Sequence, residues 1–270
     1  MAIIKTDVWL KEYLNNRKRP RAKLHRKMLC EKLLPYFHGV DSYAIQDHLI
    51  QHGLFLPDAA EEKLMKFAQE KKHWKWVALE WKQLRKEWQG PDVPIFIFPS
   101  DSHNKRLQTE LNGKSGLAYQ DKVFLFVAPD TSRLELQALL THEYNHVCRL
   151  HYLNQQEETI ELLDSIILEG LAERAVHEKL GTAYTAKWTS IYTVEEAEKH
   201  WKRWIKPNLS MKKANFRHDY LMYGKGRIPR WLGYNVGCHL VASFAEQAAI
   251  PMQELLQTPA ETMLEDSAFS

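Results

Sequence analysis

His142-Glu143-Tyr144-Asn145-His146 spells H-E-x-x-H, a pattern that sets two metal ligands and a general base on one helix. Residues four apart in a helix lie one turn above each other, so His142 and His146 can turn their imidazoles toward a single ion. Glu143 stands beside the first histidine and can reach a metal-bound water. That is the equipment for metal-assisted hydrolysis of an amide bond. The surrounding residues put the motif well inside a helix. Ser132-Arg133-Leu134-Glu135 reads as a capping box, with Leu136, Leu139, Leu140 and Val147 following at helical spacing. The plain alternative is a surface helix with two solvated histidines; the uncharged Tyr144 and Asn145 suit a buried helix better.

Zinc in a hydrolase takes three protein ligands and keeps one position for water. The metzincin extension needs a glycine and a third histidine downstream, and Arg149 and Tyr152 occupy those places. A carboxylate on a following helix remains. Ile160 to Leu180 reads as that helix, with Gly181 as its stop. Leu162, Ile166, Glu169, Glu173, Val176 and Leu180 share one stripe, so two carboxylates interrupt an apolar face. A buried carboxylate needs a cation, a metal or hydrogen-bond donors. One reading pairs the two with Arg149 or Arg174 as core salt bridges. The sharper one puts Glu169 on the metal and lets Glu173, one turn on, take the outer N–H of a ligating histidine. Glu161 and Asp164 fall off the stripe and are weaker ligand candidates.

Glu169-Gly170-Leu171-Ala172-Glu173 resembles the E-G-x-A segment of gluzincin peptidases, in which that glutamate is the third zinc ligand. The carboxylate four residues later is similar to the thermolysin-type acid behind a zinc-bound histidine. Glu169 follows His146 by 23 positions, room for a helix end, a loop and a second helix. More narrowly, the chain looks like the YjaZ-like bacterial family of predicted zinc-dependent proteases. The matching segments are Thr141 to Leu150, Leu168 to Glu173, Pro229-Arg230-Trp231-Leu232-Gly233-Tyr234-Asn235-Val236-Gly237 and Thr258-Pro259-Ala260-Glu261. All lie in the C-terminal half. The resemblance implies one zinc ion, a peptide or protein substrate, and a minimal zincin fold.

With 44% hydrophobic and 26% charged residues over 270 positions, the chain has a soluble globular composition. A net charge of +3 is too mild to argue for nucleic acid. Cys30, Cys148 and Cys238 are too far apart for a disulfide framework or a cysteine zinc site, which suits a reducing compartment. The N-terminus carries charge too early for a signal peptide, and no apolar run nears the ~20 residues that span a bilayer. A cytoplasmic location is expected.

Residues 5 to 88 read as mostly helical, and Gly90-Pro91-Asp92 is the clearest break. We therefore expect a helical region at 1–90 and a zincin-like catalytic domain at 91–270. Beyond the break, residues 93–99, 116–119 and 123–128 read as strands, the last two as a hairpin around Gln120-Asp121. The metal helix and the glutamate helix follow, and then further helices at 194–205 and 234–248. The expected class is α+β, predominantly helical, with a small sheet. In zincin folds an edge strand pairs with extended substrate; Gly116-Leu117-Ala118-Tyr119 is the candidate, because small side chains let another backbone approach. The alternative is an ordinary edge strand.

A second donor beside zinc is needed for the tetrahedral oxyanion. Tyr234 is the first choice, since Gly233 to Gly237 open a helix after a Pro-Arg-Trp turn; His218, Tyr223 and His239 are alternatives, and a packing tyrosine is the plain reading. The basic run from Arg17 to Lys27, broken by Pro20, reads as a solvated turn rather than a nucleic-acid or lipid contact. Trp74, Val77, Trp81, Leu84 and Trp88 at heptad-like spacing read as a packed stripe rather than a membrane-surface helix. The function expected is zinc-dependent peptide hydrolysis with Glu143 as general base. Its rivals are a zincin-fold binding or regulatory protein that has lost catalysis, and a helical nucleic-acid or membrane-surface binding protein.

Overall fold

The computed structural model describes residues 3–16, 20–156 and 159–270. It is a predominantly helical α+β structure with one three-stranded sheet among the described residues. Contacts group it into two compact units: residues 1–83 with 92–140, and residues 84–91 with 141–270.

The first unit holds α1 (Thr6–Asn15), α2 (Arg21–His25), α3 (Ser42–Gln51), α4 (Glu61–Glu70), most of α5 (Lys72–Trp88) and α6 (Lys105–Glu110). Its strands β1 (Ile95–Pro99), β2 (Ser115–Ala118) and β3 (Val123–Val127) lie in the order β1-β3-β2. β1 is parallel to β3 and β2 antiparallel to it, so the expected hairpin is present. Every position of β1 and β3 is buried. Coverage on both faces explains why these strands read as unbroken apolar runs instead of alternating ones. Phe96 and Phe124 pair in register and stack with centroids 4.8 Å apart.

The strands group with the N-terminal helices in the first unit. The reason is that α1 is tied to β1. Ile4 N–H donates to Ile95 O at 3.0 Å, and Thr6 Oγ1 donates to Ile97 O across 91 positions of sequence. Trp74 of α5 donates in turn to Thr6 Oγ1 at 3.0 Å. Trp74, Val77, Trp81, Leu84 and Trp88 are all buried, as a packed stripe requires. No described helix is long and apolar enough to cross a membrane. In the basic run, Arg17, Lys18 and Arg19 lie outside the described residues. Arg21 pairs with Glu61, Arg26 stacks over Tyr43 at 3.5 Å, and Lys23 and Lys27 are exposed.

The second unit holds α7 (Arg133–Tyr152) from residue 141 onward, α8 (Leu162–Leu180), α9 (Val194–His200), α10 (Phe216–Tyr223), α11 (Leu232–Ala248), α12 (Met252–Leu255) and α13 (Ala260–Glu265). The Ser132 capping box forms as expected: Glu135 N–H donates to Ser132 Oγ, and Ser132 N–H to Glu135 Oε2, both at 3.2 Å. α8 starts two residues later than the apolar pattern suggests, because Glu161 and Asp164 form its capping box. Both acids are thereby occupied at the helix start, where carboxylates also favour the helix dipole. α8 stops at Gly181, whose φ of +83° suits glycine.

α8 and α11 form the most extensive helix pair, and glycines let their backbones touch. A Cβ on Gly237 would sit 1.9 Å from Ile166 O, and one on Gly170 would sit 2.3 Å from Gly237 O. Neither clash is relieved by a side-chain rotation, since the obstacle is backbone. Gly237→Ala is therefore expected to push the helices apart and cost about 1–3 kcal/mol, the usual range for overpacking. Urea denaturation reads this directly; an unchanged midpoint would show that the close approach carries no stability.

Candidate metal centre

The apolar side of α7 turns Tyr144, Asn145, Val147 and Cys148 inward, each fully buried. Tyr144 donates from its hydroxyl to Pro91 O at 2.8 Å, and its ring stacks on Trp88. With α7 locked on that side, His142 and His146 are presented together toward α8, their ring centroids 4.6 Å apart. Glu169 of α8 meets both. Its Oε2 lies 3.3 Å from His142 Nε2 and 3.7 Å from His146 Nε2. One ligand atom from each of the three residues falls within 4.8 Å of the other two. In a tetrahedral site with bonds of about 2.0–2.1 Å, ligand atoms stand roughly 3.3 Å apart. Glu169 Oε2 is also a buried carboxylate oxygen with no aligned hydrogen-bond donor among the described residues. Two imidazole nitrogens and one such oxygen are a donor set that fits zinc.

Glu173 supports the first histidine. Its Oε1 takes the His142 Nδ1 proton at 2.9 Å, and its Oε2 accepts from Ala186 N–H at 2.7 Å. Held at both oxygens, it fixes the imidazole with Nδ1 toward Glu173 and Nε2 toward Glu169. Burial works against a charge on His142, but the Glu169 and Glu173 carboxylates outweigh it and raise its pKa well above the ordinary value. Burial holds His146 down at about 3, so this ring is neutral at pH 7, the form that ligates metal. Burial also opposes ionisation of Glu169, yet the imidazoles of His146 and His142 hold its carboxyl below the usual range.

The salt-bridge alternative finds no support in the geometry. Arg149 is fully buried and donates to the carbonyls of Leu255 and Thr258, at 3.4 and 3.1 Å. Arg174 pairs with Glu178 on its own helix at 2.5 Å. Neither arginine is spent on Glu169 or Glu173.

Tyr234 comes to this site from α11. Trp231 begins that helix from a left-handed conformation, φ +56°, and donates its N–H to Tyr223 O at 2.8 Å. Rings of Trp188, Trp231, Tyr223 and Tyr234 pack on one another with centroids 4.8–5.4 Å apart. Burial, and then the Glu169 charge, push the Tyr234 pKa well up. The other donors considered divide. Tyr223 is at the site. His218 is paired with Ser165 Oγ at 2.9 Å, and His239 with Tyr192 O at 3.0 Å.

The four residues 116–119 belong to the first unit and the metal cluster to the second. Gly116, Leu117 and Ala118 lie on β2, an edge strand, with Tyr119 just past its end and hydrogen-bonded to His48 at 2.6 Å. Glu143 is buried on α7 next to His142. Two neighbours of the cluster gave no sequence signal. Lys213 lies near enough for its charge to act on His146 and Glu169. Cys238 is near the acid pair, its thiol pKa raised by burial and then by Glu173 and Glu169. Both sit far along the chain from the motif, on elements that only folding brings back. All three cysteines are free.

A model of the family described as "Predicted Zn-dependent protease (DUF2268)" matches residues 73–265. The Bacillus subtilis (strain 168) protein "Uncharacterized protein YjaZ" is 39% identical over 240 residues, covering 88% of this chain and 92% of the relative. "Uncharacterized protein YjfC" of the same organism is 23% identical over 183 residues, 64% of this chain and 60% of that one. No solved structure matches.

The cluster makes the ligand roles separable by titration calorimetry with zinc. The protein is expected to take up about one ion per chain, and His146→Ala and Glu169→Ala to abolish uptake. Glu173→Ala should weaken it by only about 10–100-fold, as loss of a histidine's outer partner does. The reverse ranking of the two carboxylates would exchange their roles.

Proposed function

The chain belongs to this family of predicted zinc-dependent proteases, and from that premise we propose that it hydrolyses peptide bonds as a gluzincin-type enzyme. One zinc ion would be held by His142, His146 and Glu169. The observation that carries the proposal is the convergence of these three side chains from two helices, with Glu143 beside the first of them. When bound there, zinc acidifies water and polarises the scissile carbonyl. Glu143 takes the proton from the attacking water and delivers it to the departing amine as the C–N bond breaks. Glu173 keeps His142 in the ligating tautomer. Tyr234 donates its hydroxyl proton as a hydrogen bond to the oxyanion.

What favours an enzyme over a metal-holding binding protein is Glu143, which a structural site has no use for. Residues 116–119 are proposed separately as a peptide-pairing edge of the first unit, with β3 the ladder partner of β2 among the described residues.

Glu143→Gln is expected to keep zinc and fold while losing roughly 10²–10⁴-fold in activity on a peptide library. Wild-type cleavage by this variant would remove the mechanism, and a wild-type enzyme insensitive to chelation would remove the metal from it. Tyr234→Phe separates two jobs for one hydroxyl. As the oxyanion donor it should cost about 10²–10³ in kcat with zinc affinity unchanged. A fall in zinc affinity instead would make Tyr234 a positioning residue for Glu169. If kcat stays at the wild-type level while Tyr223→Phe lowers it, the oxyanion role passes to Tyr223.

A further inference from the structure

α10 has two unlike faces. His218, Leu221 and Met222 are buried on one. Phe216, Tyr220 and Tyr223 recur at positions four and three apart and so share the opposite face. Phe216 is 70% exposed, the most exposed large apolar side chain among the described residues, and Tyr223 is 39% exposed. Phe216 and Tyr220 pack edge to face at 5.6 Å. Tyr223 also packs on Trp231 and Tyr234, but the outward extension of that cluster to the exposed Phe216 marks a binding surface.

This row leads to the metal cluster. Tyr223 meets the Tyr234 ring at 5.2 Å, and α11, which carries Tyr234, packs on both α10 and the α8 helix that carries Glu169. From Phe216 to Tyr223 the helix rises about 10 Å, the span of about three residues of extended peptide. The charge around the row is mainly positive, although Lys212 is paired with Glu161. Between residues 212 and 230 stand Lys212, Lys213, Arg217, Lys225, Arg227 and Arg230 against a single acid, Asp219. Lys225 lies over the Tyr220 ring at 4.3 Å, so charge and aromatic surface are interleaved. A basic surface that borders a hydrolytic site draws in acidic substrates.

We propose that α10 and its flanks, residues 212–230, are the substrate-docking face of the metal centre, selecting peptides with an aromatic or large apolar side chain flanked by carboxylates. The selected side chain lies within about three residues of the scissile bond. The inference rests on the peptidase reading, and the test keeps the two apart.

Zinc-loaded, full-length Glu143→Gln protein is titrated against three labelled peptides of equal length, followed by fluorescence anisotropy. One carries Phe between Asp residues, one Phe between Lys residues, and one Ala between Asp residues. The first is expected to bind about tenfold or more tighter than the other two, with the advantage over the Lys peptide shrinking as salt is added. Phe216→Ala should erase the preference for Phe over Ala, and Arg217→Glu the preference for Asp over Lys. Both side chains are exposed, so both variants are expected to fold. Equal affinities, no binding, or preferences unchanged in both variants would overturn the proposal. So would binding of a dT oligomer or of anionic phospholipid vesicles that depends on Phe216 while the peptides are ignored. Wild-type protein is then offered the same peptides. Selective binding without zinc-dependent cleavage removes the peptidase reading and keeps the docking face; cleavage without selectivity does the opposite.

Discussion

Two carboxylates, the half-buried Glu169 and the buried Glu173, share one stripe of α8, and the centre is built around them. Removing a carboxylate from water costs several kcal/mol unless charge and hydrogen bonds replace the water. His142 stands between them, with Nδ1 hydrogen-bonded to Glu173 and Nε2 3.3 Å from Glu169. Ala186 N–H takes the remaining oxygen of Glu173, which anchors the chain just after α8 to the helix it has left. The same contacts set the orientation of the His142 ring. An arrangement that stabilises buried charge in this way also preorganises the ligand set for an ion.

The second constraint is backbone proximity. Glycine inside a helix costs up to about 1 kcal/mol relative to alanine, and α8 and α11 carry it at 170, 233 and 237. The cost is offset where the helices meet, because nothing larger fits between Gly170, Gly237 and Ile166 O. This contact decides how near Tyr234 comes to Glu169. Trp231 adds a further cost, since a left-handed conformation is worth about 1–2 kcal/mol against a residue with a Cβ. Stacking on Trp188 at 4.8 Å and the hydrogen bond to Tyr223 O hold it there. Asn235, one position past Tyr234, donates to Trp188 O and Thr189 O, so the corner and the loop from α8 are tied together. Strain kept at such a corner is the pattern of a functional site, where geometry is worth more than local stability.

Much of the centre is written locally in the chain. A helical period puts His142 and His146 on one face and Glu169 and Glu173 on one stripe, whatever else the molecule does. The Ser132 box, the Gly181 stop and the apolar runs of β1 and β3 are likewise short-range patterns that chemistry reads without a fold. The alternatives left open in sequence were tertiary. Whether Glu169 and Glu173 met arginines or histidines depended on Arg149 being spent on the carbonyls of Leu255 and Thr258, more than 100 positions away. That His218 pairs with Ser165 and His239 with Tyr192 O is likewise settled only by the fold. The grouping of the strands with the N-terminal helices came from hydrogen bonds between Ile4, Thr6 and β1. Period and capping are properties of neighbours in sequence, and so the residues alone determine them. Pairing a buried charge or closing a gap between two backbones joins residues that are distant in sequence, and only the folded chain decides which ones.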